Sequence, residues 1–286
     1  FLHGEVARAA LEAGKHVLCE KPLAITLPDA RRTRDAARAA SGVSGTVFNY
    51  RRIPAVADIR ARVAAGELGD PVQITVFYQC DYAADPLLPH SWRYEFERAG
   101  PGALLDVGTH AVDLSRFILG DVAEVTGAVS SISIPERFLP AEATVGHGHV
   151  ALSEKTAKVE NDDVTSALLR FANGAQGFVT ASRVAVGTGN RVQVEVYGTK
   201  GTARFSNETP SHFDLAVMDG SGPAPFQRML NRPASPGIGL AAVPHDLVPI
   251  GYAESFGFMI HEFLTAIAEG RPFENGSIED GYRAAQ

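Results

Sequence analysis

The spacing of apolar residues changes once, near residue 70, and that change restricts the fold more than any other feature of the chain. Before it, short apolar runs alternate with helical patterns. "GEVARAALEAG" puts Val6, Ala9, Ala10 and Ala13 on one stripe and stops at Gly14. "HVLC" is a short apolar strand. Thr26 caps the next helix, with Pro28 in its first turn and Asp29 three residues after the cap. "SGTVFNY" is a second strand, and "PAVADIRARVAAGELG" a third helix with Val56, Ile59 and Val63 aligned. Strands alternating with helices of this length need crossover connections and give a parallel sheet.

After residue 70 the period is that of a sheet with two unlike faces. "PVQITVFYQCDY" is long and alternating. One helix over about 102–119 interrupts a series of strands: "VAEVTGAVSSISI", "VTSALLRFA", "AQGFVTASRVAV", "RVQVEVYG" and "GTARFS". Asn173-Gly174 reads as the turn of a hairpin. Residues 207–250, rich in Pro and Gly, read as an irregular excursion. A final amphipathic helix runs from Glu254 to Glu269 and ends at Gly270. The pattern predicts an α/β part over residues 1–70 and an α+β part over 71–286, the second with a large, mainly antiparallel open sheet and helices on one face.

Composition narrows the function classes. The 286 residues are 45% hydrophobic, enough for a large core. Net charge is −7 and there is no block of five Lys/Arg, which speaks against a nucleic-acid groove or an anionic membrane surface. No apolar run reaches the ~18–20 residues of a membrane span. "FLHGEVARAALEAGKHV" has no basic region ahead of a hydrophobic segment, so it does not read as a secretion signal. Cys19 and Cys80 both lie in apolar segments, as reduced thiols in a cytoplasmic setting do.

Two constellations carry chemistry. "HVLCEKPLA" ends a buried strand on Glu20 and Lys21, with Pro22 directing the chain away. Ligands of open parallel sheets bind beyond the carboxyl ends of the strands. A lysine there can hold a cofactor or stabilise a developing alkoxide; a plain charged surface turn would read the same. In "GPGALLDVGTHAVDLSRFILG", Asp106, His110 and Asp113 share a helical face. Asp106 one turn before His110 could accept its ring N–H and orient it as a base. A helix with a satisfied histidine, or a cation shared with His90, fits the same spacing; no second His/Cys/Asp cluster has ligand spacing, so no metal is expected. Gly108, inside the helix, points to something packed close against the backbone. Together the two constellations suit oxidation of a secondary alcohol, where the hydroxyl proton leaves as a hydride departs to a nicotinamide. His110 would take the proton and Lys21 would stabilise the alkoxide.

These residues resemble a known family. "AGKHVLCEKPLA" is similar to the Glu-Lys-Pro motif of the glucose-fructose oxidoreductase/inositol dehydrogenase/MocA (Gfo/Idh/MocA) family, and "GALLDVGTHAVDL" to its Asp-x-Gly-x-His motif. "NYRRIPAVADIRARVAAGELGDP" and "EVYGTKGTARF" also fit, so the resemblance covers essentially the whole chain, with the two motifs roughly 85 residues apart. It implies a Rossmann-like dinucleotide-binding domain, whose C-terminal part would be residues 1–70, followed by a substrate-binding and oligomerisation domain over 71–286. It implies NAD or NADP as cofactor and a sugar or cyclitol as substrate. Lys21, Asp106 and His110 become the catalytic residues; Glu20, Lys21 and Pro22 lie near the cofactor. "HSWRYE" resembles a segment beside the sugar site of inositol- and levoglucosan-dehydrogenase-like members, making His90, Trp92 and Arg93 substrate-pocket candidates. Asn161 and Asp163 read as structural. The implied partners are a small polyol and further copies of the chain through the open sheet, not nucleic acid or membrane. An NAD-assisted glycoside hydrolase or a non-catalytic dinucleotide sensor would share the motifs. The family's Gly-x-Gly-x-x-Gly loop has no counterpart here, so the first part of the Rossmann domain is expected to lie outside this sequence.

Overall fold

The computed structural model describes residues 1–142, 148–220, 222, 224–232 and 245–286. The chain opens with α1 (His3–Glu12), β1 (Val17–Cys19), α2 (Leu27–Ala39) and β2 (Ser44–Thr46). β1 and β2 pair in parallel, Val17 opposite Ser44. The Thr26 hydroxyl caps α2 by accepting the Asp29 N–H at 3.3 Å. β2 is shorter than "SGTVFNY" suggests because its partner ends first. The Cys19 carbonyl accepts from Val47 N–H at 2.8 Å, and beyond it no strand continues for Phe48 to pair with. The chain then turns through a 3₁₀ segment (Asn49–Arg52) into α3 (Pro54–Ala64).

β3 (Pro71–Cys80) begins the large sheet. A 3₁₀ turn (Trp92–Tyr94), the short α4 (Phe96–Ala99), a π-helical turn (Leu104–Gly108) and α5 (Thr109–Leu119) follow. Then come β4 (Val122–Ser131), β5 (Glu136–Pro140), β6 (Leu152–Lys158), β7 (Val164–Phe171), β8 (Gln176–Ser182), β9 (Asn190–Gly198), β10 (Gly201–Ser206), β11 (His212–Val217), β12 (Gln227–Leu230), α6 (Tyr252–Glu269) and α7 (Ile278–Ala285). Eight strands form one sheet in the order β12-β11-β10-β9-β3-β8-β7-β4. β3 and β8 run parallel; the other pairings in the sheet are antiparallel. β5 and β6 pair separately.

The region 207–250 corrects the sequence reading. It contains β11 and β12, which extend the sheet edge, while residues 233–244 lie outside the described residues. These strands are short, and β11 buries only Phe213 and Leu215, too few positions to show a period among Pro and Gly.

One face of the sheet is the main core. Ile74, Val76, Val192, Val194 and Val196 alternate inward along β3 and β9, under Ala111, Leu114 and Ile118 of α5 and Val56 and Ile59 of α3. Each such aliphatic side chain contributes about 1.5–3 kcal/mol relative to exposure. The other face is open: Val125, Val129 and Leu168 are exposed, and Phe77 meets Phe178 edge-on at 5.9 Å. The C-terminal helices return to the start of the chain. Ile278 and Tyr282 pack with Ala7, Leu11, Val17 and Leu23, and Met259, Phe263 and Ala266 cover Val47.

The helical run carrying Asp106 is held at both ends. The Asp162 carboxylate accepts the N–H groups of Gly102 and Leu104 at 2.8 and 2.9 Å, as a cap does. At Gly108 a Cβ would lie 3.2 Å from the Cβ of Ala181 on β8, the close approach that the glycine pointed to. Asn161 and Asp163 tie loops together: Asn161 donates to the carbonyls of Arg93 and Gly100, and Asp163 pairs with the buried Arg183 at 2.8 Å.

Candidate active site

Because β1 stops at Cys19, the next residues leave the sheet at its carboxyl edge, and the Lys21–Pro22 peptide bond is cis. Lys21 Nζ donates to Asp106 Oδ1 at 2.7 Å and to the Asp106 carbonyl at 2.9 Å. Tyr82, two residues beyond the end of β3, donates its hydroxyl to Asp106 Oδ2 at 2.7 Å. Three separate parts of the chain therefore meet at one carboxylate. Burial opposes its charge, but the Lys21 ammonium and the hydrogen bonds from Lys21 and Tyr82 outweigh that and hold its pKa down to about 2. Burial, followed by the neighbouring Asp106 charge, pushes the Tyr82 phenol well above its usual range, so it stays a donor.

The cluster opens into a cavity of about 370 Å³. Glu20, Lys21, Pro22, Tyr82 and Asp106 all line it. The Glu20 carboxylate accepts the Lys21 backbone N–H at 3.1 Å. Trp92 and Arg93 line it too, the guanidinium over the indole ring at 4.6 Å from its centre. An exposed aromatic face beside a cation suits a polyol, which presents C–H groups to the ring and hydroxyls to donors.

His90 is elsewhere. It is buried, its Nε2 lies 3.1 Å from the Lys158 carbonyl, and its ring meets Tyr94; it is not in the cavity wall. The 3₁₀ turn at Trp92–Tyr94 turns the chain here, so Trp92 and Arg93 face the cavity while His90 faces β6.

His110 is near the cluster but behind it. Its ring is enclosed edge-on by Phe48 and Tyr50 from the first part of the chain, at 6.3 and 5.1 Å, and by Tyr78 at 5.6 Å. Burial, then the Lys21 charge, pushes its pKa well below 6.5 against the pull of Asp106, so the imidazole is neutral. The expected hydrogen bond from the imidazole to Asp106 is not formed: both carboxylate oxygens are taken by Lys21 and Tyr82. The π turn accounts for this, since it puts Asp106 out of α-helical phase with His110. Asp113, expected on the same face, is buried against Arg51 instead.

Tyr82 is the functional-site residue that the sequence reading missed. The available signal was its position just past the carboxyl end of a long strand. Among the described residues, no group of three or more His, Cys, Asp or Glu is arranged to hold a metal ion.

Comparison with known proteins gives two family-model matches along the chain. Residues 1–47 match the family model described as oxidoreductase family, NAD-binding Rossmann fold, and residues 56–204 that described as GFO/IDH/MocA C-terminal domain. The chain is 39% identical over 287 aligned residues to a levoglucosan dehydrogenase from Pseudarthrobacter phenanthrenivorans, covering 99% of this chain and 73% of that protein. It is 30% identical over 199 residues to a myo-inositol 2-dehydrogenase from Thermotoga maritima, covering 70% of this chain but 52% of that one. A solved structure of levoglucosan dehydrogenase in complex with NADH and levoglucosan superposes with a TM-score of 0.88 at 38% identity, over 99% of this chain and 72% of that one.

Proposed function

From the premise that the chain belongs to the Gfo/Idh/MocA oxidoreductase family, we propose that it acts as an NAD(P)-dependent dehydrogenase on a secondary hydroxyl of a sugar or cyclitol. The observation that carries this reading is the Lys21 ammonium, fixed on Asp106 at the carboxyl end of β1 and facing a cavity walled by Trp92 and Arg93. The levoglucosan and inositol dehydrogenases named above, to which the chain is similar, support this reading.

The nicotinamide, when bound, supplies the hydride acceptor. Glu20, Lys21 and Pro22 suit its approach, since they form a half-open wall just beyond a parallel strand, where dinucleotides meet such sheets. No Gly-x-Gly-x-x-Gly segment occurs in the sequence, so no residue here is assigned to the pyrophosphate. Two of the three ammonium protons of Lys21 are committed to Asp106. The third is free to donate to the substrate hydroxyl oxygen and to stabilise it as negative charge develops. Asp106 keeps the ammonium charged and in place. His110, neutral through burial, is the candidate base for the hydroxyl proton, although its ring does not line the cavity. Trp92 and Arg93 hold the polyol ring.

One observation favours a second reading of the proton's path. The cavity lining carries Lys21 and not His110, which fits Lys21 as the base: after losing one ammonium proton to solvent, its amine would take the hydroxyl proton and become the ammonium again. The two readings differ in one variant. His110→Ala should cut turnover about 10²–10⁴-fold if the imidazole is the base. Near-normal turnover in that variant moves the proton to Lys21.

The dehydrogenase reading is tested by following NAD⁺ and NADP⁺ reduction by the full-length protein across a panel of sugars and inositols. Steady NADH or NADPH formation supports it. Glycosidic cleavage without net reduced cofactor would make the protein a hydrolase, and cofactor binding without turnover a sensor. We also place residues 1–70 in the dinucleotide-binding domain and 71–286 in the substrate domain. The open sheet face around Phe77, Phe178 and Leu168 is assigned to contacts between copies, and the protein to the cytoplasm.

A further inference from the structure

We propose that Tyr82 is a positioning residue of this site, acting on Lys21 through Asp106. The proposal rests on the dehydrogenase reading above.

The argument starts from the freedom of the carboxylate. The Asp106 side chain is 43% exposed, so packing alone does not fix its plane. An aspartate whose Cβ–Cγ bond is free to turn offers either oxygen, or neither, to a neighbouring ammonium. Here both oxygens have distinct partners: Oδ1 receives Lys21 and Oδ2 receives Tyr82, each at 2.7 Å. The phenol comes from the chain just beyond β3, a central strand of the sheet, and its high pKa keeps the proton on it. Tyr82 therefore holds Oδ2, and the carboxylate can only present Oδ1 to Lys21. Lys21 makes its other bond to the backbone carbonyl of the same residue, so that contact tethers it while the Oδ1 contact, which sets its direction, depends on the turn of the carboxylate. Release of Oδ2 would leave the ammonium tethered but no longer aimed at the substrate oxygen.

The phenol also lines the cavity, so a plain shape role is the alternative to separate. In the full-length protein with its cofactor and polyol, Tyr82→Phe keeps the ring and removes the hydroxyl. We expect kcat to fall about 10–100-fold, the worth of one hydrogen bond to a charged group, with KM changed by less than about threefold. Because the charged carboxylate loses a donor, the acid limb of the kcat/KM profile should move to higher pH. Combined with Asp106→Asn, Tyr82→Phe should add almost nothing, since both act through one group. An unchanged kcat and acid limb, or full additivity with Asp106→Asn, overturns the proposal. If Tyr82→Phe does not fold, 3-fluorotyrosine at position 82 preserves the shape and strengthens the donor. The acid limb should then move to lower pH, and an unmoved limb overturns the proposal. Loss of activity in Lys21→Ala alongside a silent Tyr82→Phe would sink this inference and leave the dehydrogenase reading standing. Full activity in Lys21→Ala would sink the reading of the site itself.

Discussion

Asp106 and Asp113 lie on one helical run, and each takes a cation from the first part of the chain; their surroundings give the two pairs opposite characters. Arg51 commits Nε and Nη2 to Asp113 at 2.9 and 2.5 Å and Nη1 to Asp280 at 3.3 Å. Its guanidinium also lies over the rings of Phe48 and Phe117. Burial opposes its charge, but the two carboxylates outweigh it and raise the pKa. The Arg51 and Asp113 side chains are 5% and 2% exposed, so every group in the pair is used and sealed. Lys21 and Asp106 are 17% and 43% exposed, and one ammonium proton is left over beside a cavity. Ion pairing by itself does not mark a functional site. An unspent donor at an opening does, because only that donor can be transferred to a substrate.

The largest effect that can break this contrast is in turnover. Lys21→Ala in the full-length protein should lower kcat about 10²–10⁴-fold, with a melting temperature close to that of the parent, since the half-open Asp106 can be hydrated. A comparable loss of melting temperature would make Lys21 structural like Arg51. Arg51→Met should do the reverse. Leaving Asp113 as an unpaired buried charge costs about 3–5 kcal/mol, read as a lower urea midpoint at an unchanged slope. An unchanged midpoint with lost turnover would bring Arg51 into the active site.

The pH dependence of stability sharpens the contrast at smaller amplitude. Asp106 has a pKa of about 2 in the fold against 3.8 for the free side chain. Its stabilisation is therefore complete above pH 4 or so and fades as pH falls toward about 2. Asp106→Asn should flatten that part of the urea-midpoint curve. His110 acts at higher pH. The fold holds its pKa well below 6.5, so below that pH the unfolded chain binds a proton that the folded chain refuses, and stability declines. His110→Gln should remove this slope; an unaltered slope would mean that the aromatic enclosure tolerates the imidazolium. The smallest effect belongs to the rim of the sealed pair. Asp280 is 22% exposed and shared with the cap of α7, so Asp280→Asn should cost only about 1 kcal/mol in the same unfolding assay.

Much of this was legible in the residues. The change of period near residue 70 separates the parallel pair β1–β2 from the large sheet, and Gly14 and Gly270 mark helix ends where positive φ angles occur. Lys21 was legible because a charge that closes a buried strand breaks a local pattern, and Asp106 because it stands one turn before a histidine. β11 and β12 were not, since two short edge strands with few buried positions leave no period to read. The π turn was not, and the residues packed against it and capping it, Ala181 and Asp162, are distant in sequence. His90 and Trp92 sit in one short motif, yet a single turn of 3₁₀ helix separates their directions.

By itself the sequence determined the order of helices and strands, the position of the lysine past the first strand, and the acid on the later helix. Those follow from backbone geometry, whose periods of 2 and 3.6 residues are written locally. Only the tertiary structure decided which partner each charge would take: that Asp106 would meet Lys21 and Tyr82 rather than His110, and that Asp113 would be sealed beneath Arg51. A carboxylate has two oxygens and accepts whichever donors the packing brings within reach, and those donors come from segments that no local pattern connects.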